Sequence, residues 1–245
     1  MKKQATIMGM PVTVQVLDAS ATDEDIQEVF AYLHYMDQKF STYKTDSEIS
    51  QINRGELSNA DYSSEMKKIL ALCEETKREA DGYFDINLNG ILDPSGIVKG
   101  YAIWESAKLL EKKGHKNFYV EIAGDIQTFG KNEKGENWKV GIQNPFNLKE
   151  IIKVLKISNQ GIATSGNYRR GKHILNPKTK ERADEIAGIT IIGPNVYEAD
   201  RFATAAFAMG EKGIEFIEKQ RNLEAYMIKN NQIAVMTSGF EKYCV

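Results

Sequence analysis

Apolar and polar positions alternate with a period of two along residues 5–17 (ATIMGMPVTVQVL), which predicts a half-buried strand. The period lengthens between residues 23 and 40. There Ile26, Val29, Phe30, Leu33 and Met36 recur at helical spacing behind Thr22 or Asp23 as N-cap, predicting an amphipathic helix. A second helix is predicted over residues 64–80, through Met66, Ile69, Leu70 and Cys73, closed by Asp81-Gly82. A third begins near Lys99, carries Ile103, Ala107 and Leu110, and stops at Gly114. Strand patterns then cover 117–123, 126–129, 138–143 and 151–157, and the polar stretch 131–137 with Gly135 is expected to join two of them as a hairpin. Residues 188–192 predict another strand, helices start near Glu198 and after Lys212, and 224–228 with 233–237 form a closing hairpin. Hairpins outnumber strand–helix–strand crossovers. The expected class is therefore α+β, a single compact unit over residues 1–245 with an antiparallel or mixed sheet and helices packed against it.

Composition narrows the partners more than the fold. Apolar residues make up 42% and charged residues 27% of 245, enough to bury a core. A net charge of −2 lacks the basic excess of a nucleic-acid binder, so no nucleic-acid partner is expected. Two cysteines, Cys73 and Cys244, give neither a disulfide framework nor a CxxC metal knuckle. No run approaches the ~20 apolar residues that cross a bilayer. Lys2 and Lys3 begin like a secretory leader, but Thr6, Thr13 and Gln15 interrupt the apolar stretch and no small-residue cleavage site follows. A cytoplasmic protein is expected.

Several standard chemistries have no motif here: G-x-G-x-x-G after a strand, G-x-x-x-x-G-K-[ST], H-E-x-x-H and G-x-S-x-G are all missing. Four polar, glycine-bearing segments remain that a core does not require. In DPSGIVKGYA (93–102) a turn runs into a helix start, with Lys99 at an end that favours negative charge, so a bound anion would suit it as well as a solvated lysine. In EADRFATAA (198–206) Asp200 and Thr204 lie four apart on one helical face. Both oxygens could reach one hard cation, or Asp200 could serve the helix dipole while Thr204 bonds back to a carbonyl. ATSGNY (163–168) is followed by His173-Ile174-Leu175-Asn176-Pro177, where the histidine is either poised to titrate or structural. Last, FSTY with SEISQIN (40–53) and DGYFD (81–85) are small-polar and aromatic clusters able to hold a planar ring or to close element ends.

In order along the chain, MGM, FSTY…SEISQIN, DGYFD, DPSGIVKGYA, AGDIQTFG, ATSGNY, HILNP and EADRFATAAFAMG resemble the successive motifs of the ApbE family, the FAD:protein FMN transferases. The resemblance spans roughly residues 8–237. It implies an α+β unit related to the T-fold with FAD in a cleft between two lobes. It also implies Mg²⁺-dependent splitting of FAD, with FMN passing to a Thr or Ser hydroxyl of an acceptor flavoprotein and AMP released. By the same resemblance Met8, Tyr43, Gly82, Tyr83, Phe84, Asp93, Lys99 and Leu175 contact the flavin nucleotide. The Gly96 carbonyl, Asp200 and Thr204 hold the metal, and His173 or Asp200 is the base.

This chain departs from the family pattern at several points. Glu121-Ile122-Ala123-Gly124-Asp125 stands where Asn-x-Gly-Gly-Asp is usual, Ser95-Gly96 replaces Gly-Gly, and Ala203 replaces an acidic residue before the metal-binding Thr, which is expected to weaken the metal site. The stretch from Asp85 to Asp93 is short, implying a more open cleft. Two other readings stay open: an FAD pyrophosphatase that uses water as acceptor, and a non-catalytic FAD-binding protein.

Overall fold

The computed structural model describes residues 1–168 and 174–245. The chain opens with a hairpin of β1 (Lys2–Ile7) and β2 (Met10–Val16), reversed at Met8 and Gly9, whose φ angles are 56° and 67°. This corrects the single strand expected over 5–17. The apolar parity shifts from Ala5 and Ile7 to Val12, Val14 and Val16, and that slip marks the turn. Helices α1 (Asp23–Phe40), α2 (Glu48–Asn53) and α3 (Ser64–Glu79) follow. A two-residue ribbon, β3 (Asn87–Leu88) with β4 (Ile91–Leu92), then leads into α4 (Ser95–Lys112), which starts a turn earlier than Lys99.

The remaining strands are β5 (Phe118–Ile122), β6 (Asp125–Phe129), β7 (Trp138–Asn144), β8 (Asn147–Ile157), β9 (Gly161–Gly166) and β10 (Ile186–Gly193). Helices α5 (Val196–Ala208) and α6 (Gly213–Glu218) precede the closing hairpin of β11 (Glu224–Lys229) and β12 (Ala234–Met236). Eight strands form one sheet in the order β1-β2-β5-β6-β9-β10-β11-β12, antiparallel at every pairing among the described residues. Each half of it is hairpin, helices, hairpin. The halves meet at β6 and β9 through only two register pairs, Ile126 with Ile162 and Gln127 with Gly161.

The segment 131–137 is not the hairpin loop expected. β6 is flanked by β5 and β9, whereas β7 leaves the sheet and pairs with β8 in a separate ribbon. β9 was unforeseen, because its Gly161, Ser165 and Gly166 carry little strand propensity and the ladder with β10 imposes the conformation.

Alternation decides the two faces. Val12, Val14, Val16, Phe118, Val120 and Ile122 pack under α1, α3 and α4. Ala163, Ile189, Ile191, Ala225 and Met227 pack under α5. Ile162, Ile192 and Ile228 point to the other face and meet Ile142, Leu155 and Ile157 of the β7–β8 ribbon. Among the described residues no helix is long and apolar enough to cross a membrane.

Candidate active site

A cleft of about 660 Å³ opens where the Met8-Gly9 turn, the β5–β6 turn, the start of α4, the end of β9 and one face of α5 converge. Its floor is the crossing of α4 and α5. Gly96 and Gly100 are four apart on α4 and oppose Asp200 and Thr204, four apart on α5. A Cβ on Gly100 would stand 2.6 Å from Asp200 Cβ and 3.0 Å from the Val196 carbonyl oxygen, so only glycine permits this approach. A Cβ on Gly96 would stand 3.3 Å from Thr204 Cγ2 and 3.0 Å from the Phe84 ring. The start of α5 is fixed from the sheet: Gln127 accepts a bond from Val196 N at 2.8 Å, and the Asn195 side chain caps Glu198 N.

Asp200 is buried at this crossing, 3% exposed, on the wall of the cleft. Its Oδ2 accepts the Gly100 N–H at 2.8 Å, the donor that a regular helix would direct to the Gly96 carbonyl. Lys99 Nζ lies 3.5 Å from Asp200 Oδ1 and also pairs with Asp125, whose other oxygen accepts Thr164 N at 3.0 Å. Burial pushes the Asp200 carboxyl up to about 7; the Lys99 ammonium and the Gly100 N–H oppose that shift, and the Asp125 carboxylate adds to it. With both ionised, the two carboxylates facing one ammonium leave a net negative site. Its accessible donors are a carboxylate, a hydroxyl and the nearby helix-start carbonyl, all oxygens, which fits a hard cation such as Mg²⁺ completed by water and phosphate oxygens. No cluster of three His, Cys, Asp or Glu able to hold a metal by itself occurs among the described residues.

The first turn of α4 faces the same space. Pro94 precedes it with no side-chain cap, and no acidic residue occupies that turn. Ile97 N and Val98 N bond the Pro94 carbonyl, so a phosphate here would be met by the Gly96 N–H and Lys99. Asp93 lies beside it and accepts Ser95 N at 3.0 Å.

Of the residues singled out from sequence, Met8, Tyr43, Tyr83, Phe84, Asp93, Gly96, Lys99, Leu175, Asp200 and Thr204 all line the cleft. Gly82 does not: at φ 75° it ends α3, donating to the Lys77 carbonyl at 2.8 Å. Tyr43 stands 97% exposed at the mouth. His173 lies outside the described residues. Asp125 was not among the expected site residues, although a Gly-Asp pair directly after a hairpin turn is the signal that could have found it. Ala123 lines the cleft at φ 51°, a left-handed conformation that favours the glycine usual there. Ala203 is wholly buried on α5, in the cluster with Ala163, Ile189 and Phe207, and does not line the cleft.

The ApbE family model matches residues 8–92 and 88–227. The chain belongs to the ApbE family. A relative from Haemophilus influenzae, named FAD:protein FMN transferase, is 28% identical over 308 aligned positions covering 96% of this chain and 89% of that protein. One of the same name from Chlamydia muridarum is 25% identical over 92% of this chain and 89% of its own length. The longer alignments show that this ApbE chain lacks insertions the relatives carry. Among solved structures, the flavin transferase ApbE of Vibrio cholerae superposes with a TM-score of 0.88 at 20% identity, covering 99% of this chain and 98% of that one. The ApbE protein of Thermotoga maritima gives 0.89 at 19%, over 99% and 98%. At these identities the structures establish the ApbE fold, α+β with an antiparallel sheet.

Proposed function

We propose that this chain transfers the FMN half of FAD to a Thr or Ser hydroxyl of an acceptor flavoprotein, releasing AMP, with Mg²⁺ as cofactor. The observation that carries the reading is the convergence on one cleft of Lys99, the start of α4 and the Asp200–Thr204 face. That is a site for a pyrophosphate beside a space large enough for a flavin. The names of the relatives from Haemophilus influenzae and Chlamydia muridarum support the same activity.

Met8, Tyr43, Tyr83, Phe84 and Leu175 hold the flavin nucleotide in this reading, and Asp93 orders the start of α4 beneath the phosphates. Asp200, Thr204 and the Gly96 carbonyl are the metal ligands. A bound Mg²⁺ supplies charge neutralisation on the pyrophosphate. Lys99 places a second positive charge on the same oxygens, where preorganised charge in an enclosed site is most effective. The acceptor oxygen forms a bond to the FMN phosphorus, the bond from that phosphorus to the bridging oxygen breaks, and AMP departs with the electron pair. A neutral hydroxyl is a weak nucleophile, so its proton passes to Asp200 or His173.

The test is incubation with FAD and Mg²⁺, with and without an acceptor, following AMP and in-gel flavin fluorescence. Covalent fluorescence on the acceptor is expected. AMP with free FMN and no labelling in any acceptor tried would replace the transferase by a pyrophosphatase. Bound FAD without AMP would leave a binding protein.

A further inference from the structure

Asp125 stands at the seam between the two halves of the sheet, and none of the ligand roles at the cleft falls to it. It opens β6 directly after the two-residue turn Ala123-Gly124, whose φ angles of 51° and 99° are both positive, as a tight hairpin turn of this kind requires. Ala123 N fastens that turn to β2 by donating to the Pro11 carbonyl at 3.0 Å. On the turn side of Ile126 the β6 and β9 backbones no longer pair, and the Asp125 side chain continues the ladder: its Oδ1 accepts Thr164 N at 3.0 Å. The carboxylate is 2% exposed, and its position is set by the sheet. Its other oxygen, Oδ2, faces the Lys99 ammonium.

Lys99 has a second carboxylate within reach. Asp200 commits Oδ2 to the Gly100 N–H, so the oxygen it turns toward a cation is Oδ1, and Lys99 Nζ lies 3.5 Å from that same atom. An ammonium on a flexible four-carbon stem is therefore a resident competitor for the oxygen a metal needs. Of its two carboxylate contacts the one with Asp125 is the closer. We infer that Asp125 is a positioning residue: it keeps the Lys99 ammonium beside β6, so that Asp200 Oδ1 stays open to Mg²⁺ while the lysine stays aimed at the phosphate oxygens. The inference rests on the metal assignment made for Asp200 and adds what keeps that ligand available. Without the Asp125 charge nothing opposes a shift of the ammonium onto Asp200, where opposite charges in a poorly solvated site attract strongly. A purely structural Asp125 would act through Thr164 N alone, and an asparagine does that equally well.

The test is calorimetric titration of Mg²⁺ into the full chain, alone and with ADP as a pyrophosphate that carries no flavin. Asp125→Asn keeps the shape and the acceptor for Thr164 N while removing the charge, which separates the hold on Lys99 from the hold on β9. It is expected to weaken Mg²⁺ binding about tenfold, the size of coupling common between contacting groups. Lys99→Met takes the ammonium away. Its gain in Mg²⁺ affinity is expected to be about tenfold larger in the Asp125→Asn chain than in the chain that keeps Asp125, because only in the former has the lysine settled on Asp200. Equal gains in both backgrounds would overturn the inference by reducing Asp125 to a distant charge, and so would an Asp125→Asn chain that binds Mg²⁺ as the wild type does. If Asp125→Asn alone misfolds, the Lys99→Met chain with and without it carries the test: affinities within about twofold are expected, and a difference of about tenfold would overturn the positioning role. A wild type that takes up Mg²⁺ under neither condition removes the metal assignment of Asp200 itself, and this inference with it.

Discussion

At Asp200 the cost of burial and the use of charge are the same fact. Its folded-state value near 7 lies above the ordinary 3.8, so between those pH values the folded chain holds a proton that the unfolded chain has released. Stability contributed by this group therefore falls as pH rises through that window, and above it the buried carboxylate awaits a cation. Mg²⁺ is expected to raise Tm more at about pH 8 than at about pH 5.5, where protons compete for the site. Asp200→Asn should abolish both the slope and the Mg²⁺ effect; a Mg²⁺ shift as large as the wild type's would sink the metal assignment. At Gly100 two effects of opposite sign meet. Alanine gains about 1 kcal/mol of helix propensity, but its Cβ would lie 2.6 Å from Asp200 Cβ, and overpacking of that kind costs about 1–3 kcal/mol. Gly100→Ala is expected to lower the urea midpoint and weaken Mg²⁺ binding, and a stabilised variant with intact binding would show that the crossing yields. The i, i+4 pair on α5 was legible in sequence because helical geometry alone puts Asp200 and Thr204 together. That Gly100 and Asp125 complete the arrangement was not, since both act through contacts made between elements far apart in the chain.

Elements are held in place by a different set of groups. Arg201, 6% exposed, reaches from α5 to Thr76 and Glu79 at the end of α3, pairs with Glu198 on its own helix, and stacks on Phe202 with its guanidinium 4.2 Å from the ring centroid. It ties the helix bearing Asp200 to the turn bearing Tyr83 and Phe84. Arg201→Met leaves two carboxylates without their cation, and since both keep some water the loss belongs at the low end for broken buried pairs, about 3 kcal/mol by denaturant titration. Arg201→Lys, which keeps charge without the planar fork, should recover only part of it. The long helices α1 and α3 were plain from periodicity. The β1–β2 turn was not, because Met at φ 56° is no turn signal, and the fate of 131–137 depended on β9 outcompeting β7 for the edge of β6.

Across the whole molecule the cleft is walled by both halves of the sheet, and one exposed contact crosses its mouth. Lys178 pairs with Asp81 at 2.7 Å and lies 4.2 Å above the Tyr83 ring. Exposed pairs contribute little, so Lys178→Ala is expected to change stability by less than about 1 kcal/mol while speeding FAD release, read by stopped-flow fluorescence. An unchanged release rate would show that the bridge is incidental. Topology of this kind was legible as a class, because hairpin signals dominate the sequence, but the meeting of halves at two register pairs depends on tertiary pairing alone. That narrow seam has a consequence for biosynthesis. Strands β1–β6 emerge from the ribosome first with Lys99, Asp125 and the start of α4 already in hand, and the edge of β6 waits for β9. Asp200 and Thr204 arrive later still. An unfinished polypeptide thus carries Lys99 already paired with Asp125, and the cleft gains its α5 wall only once translation has run past that helix.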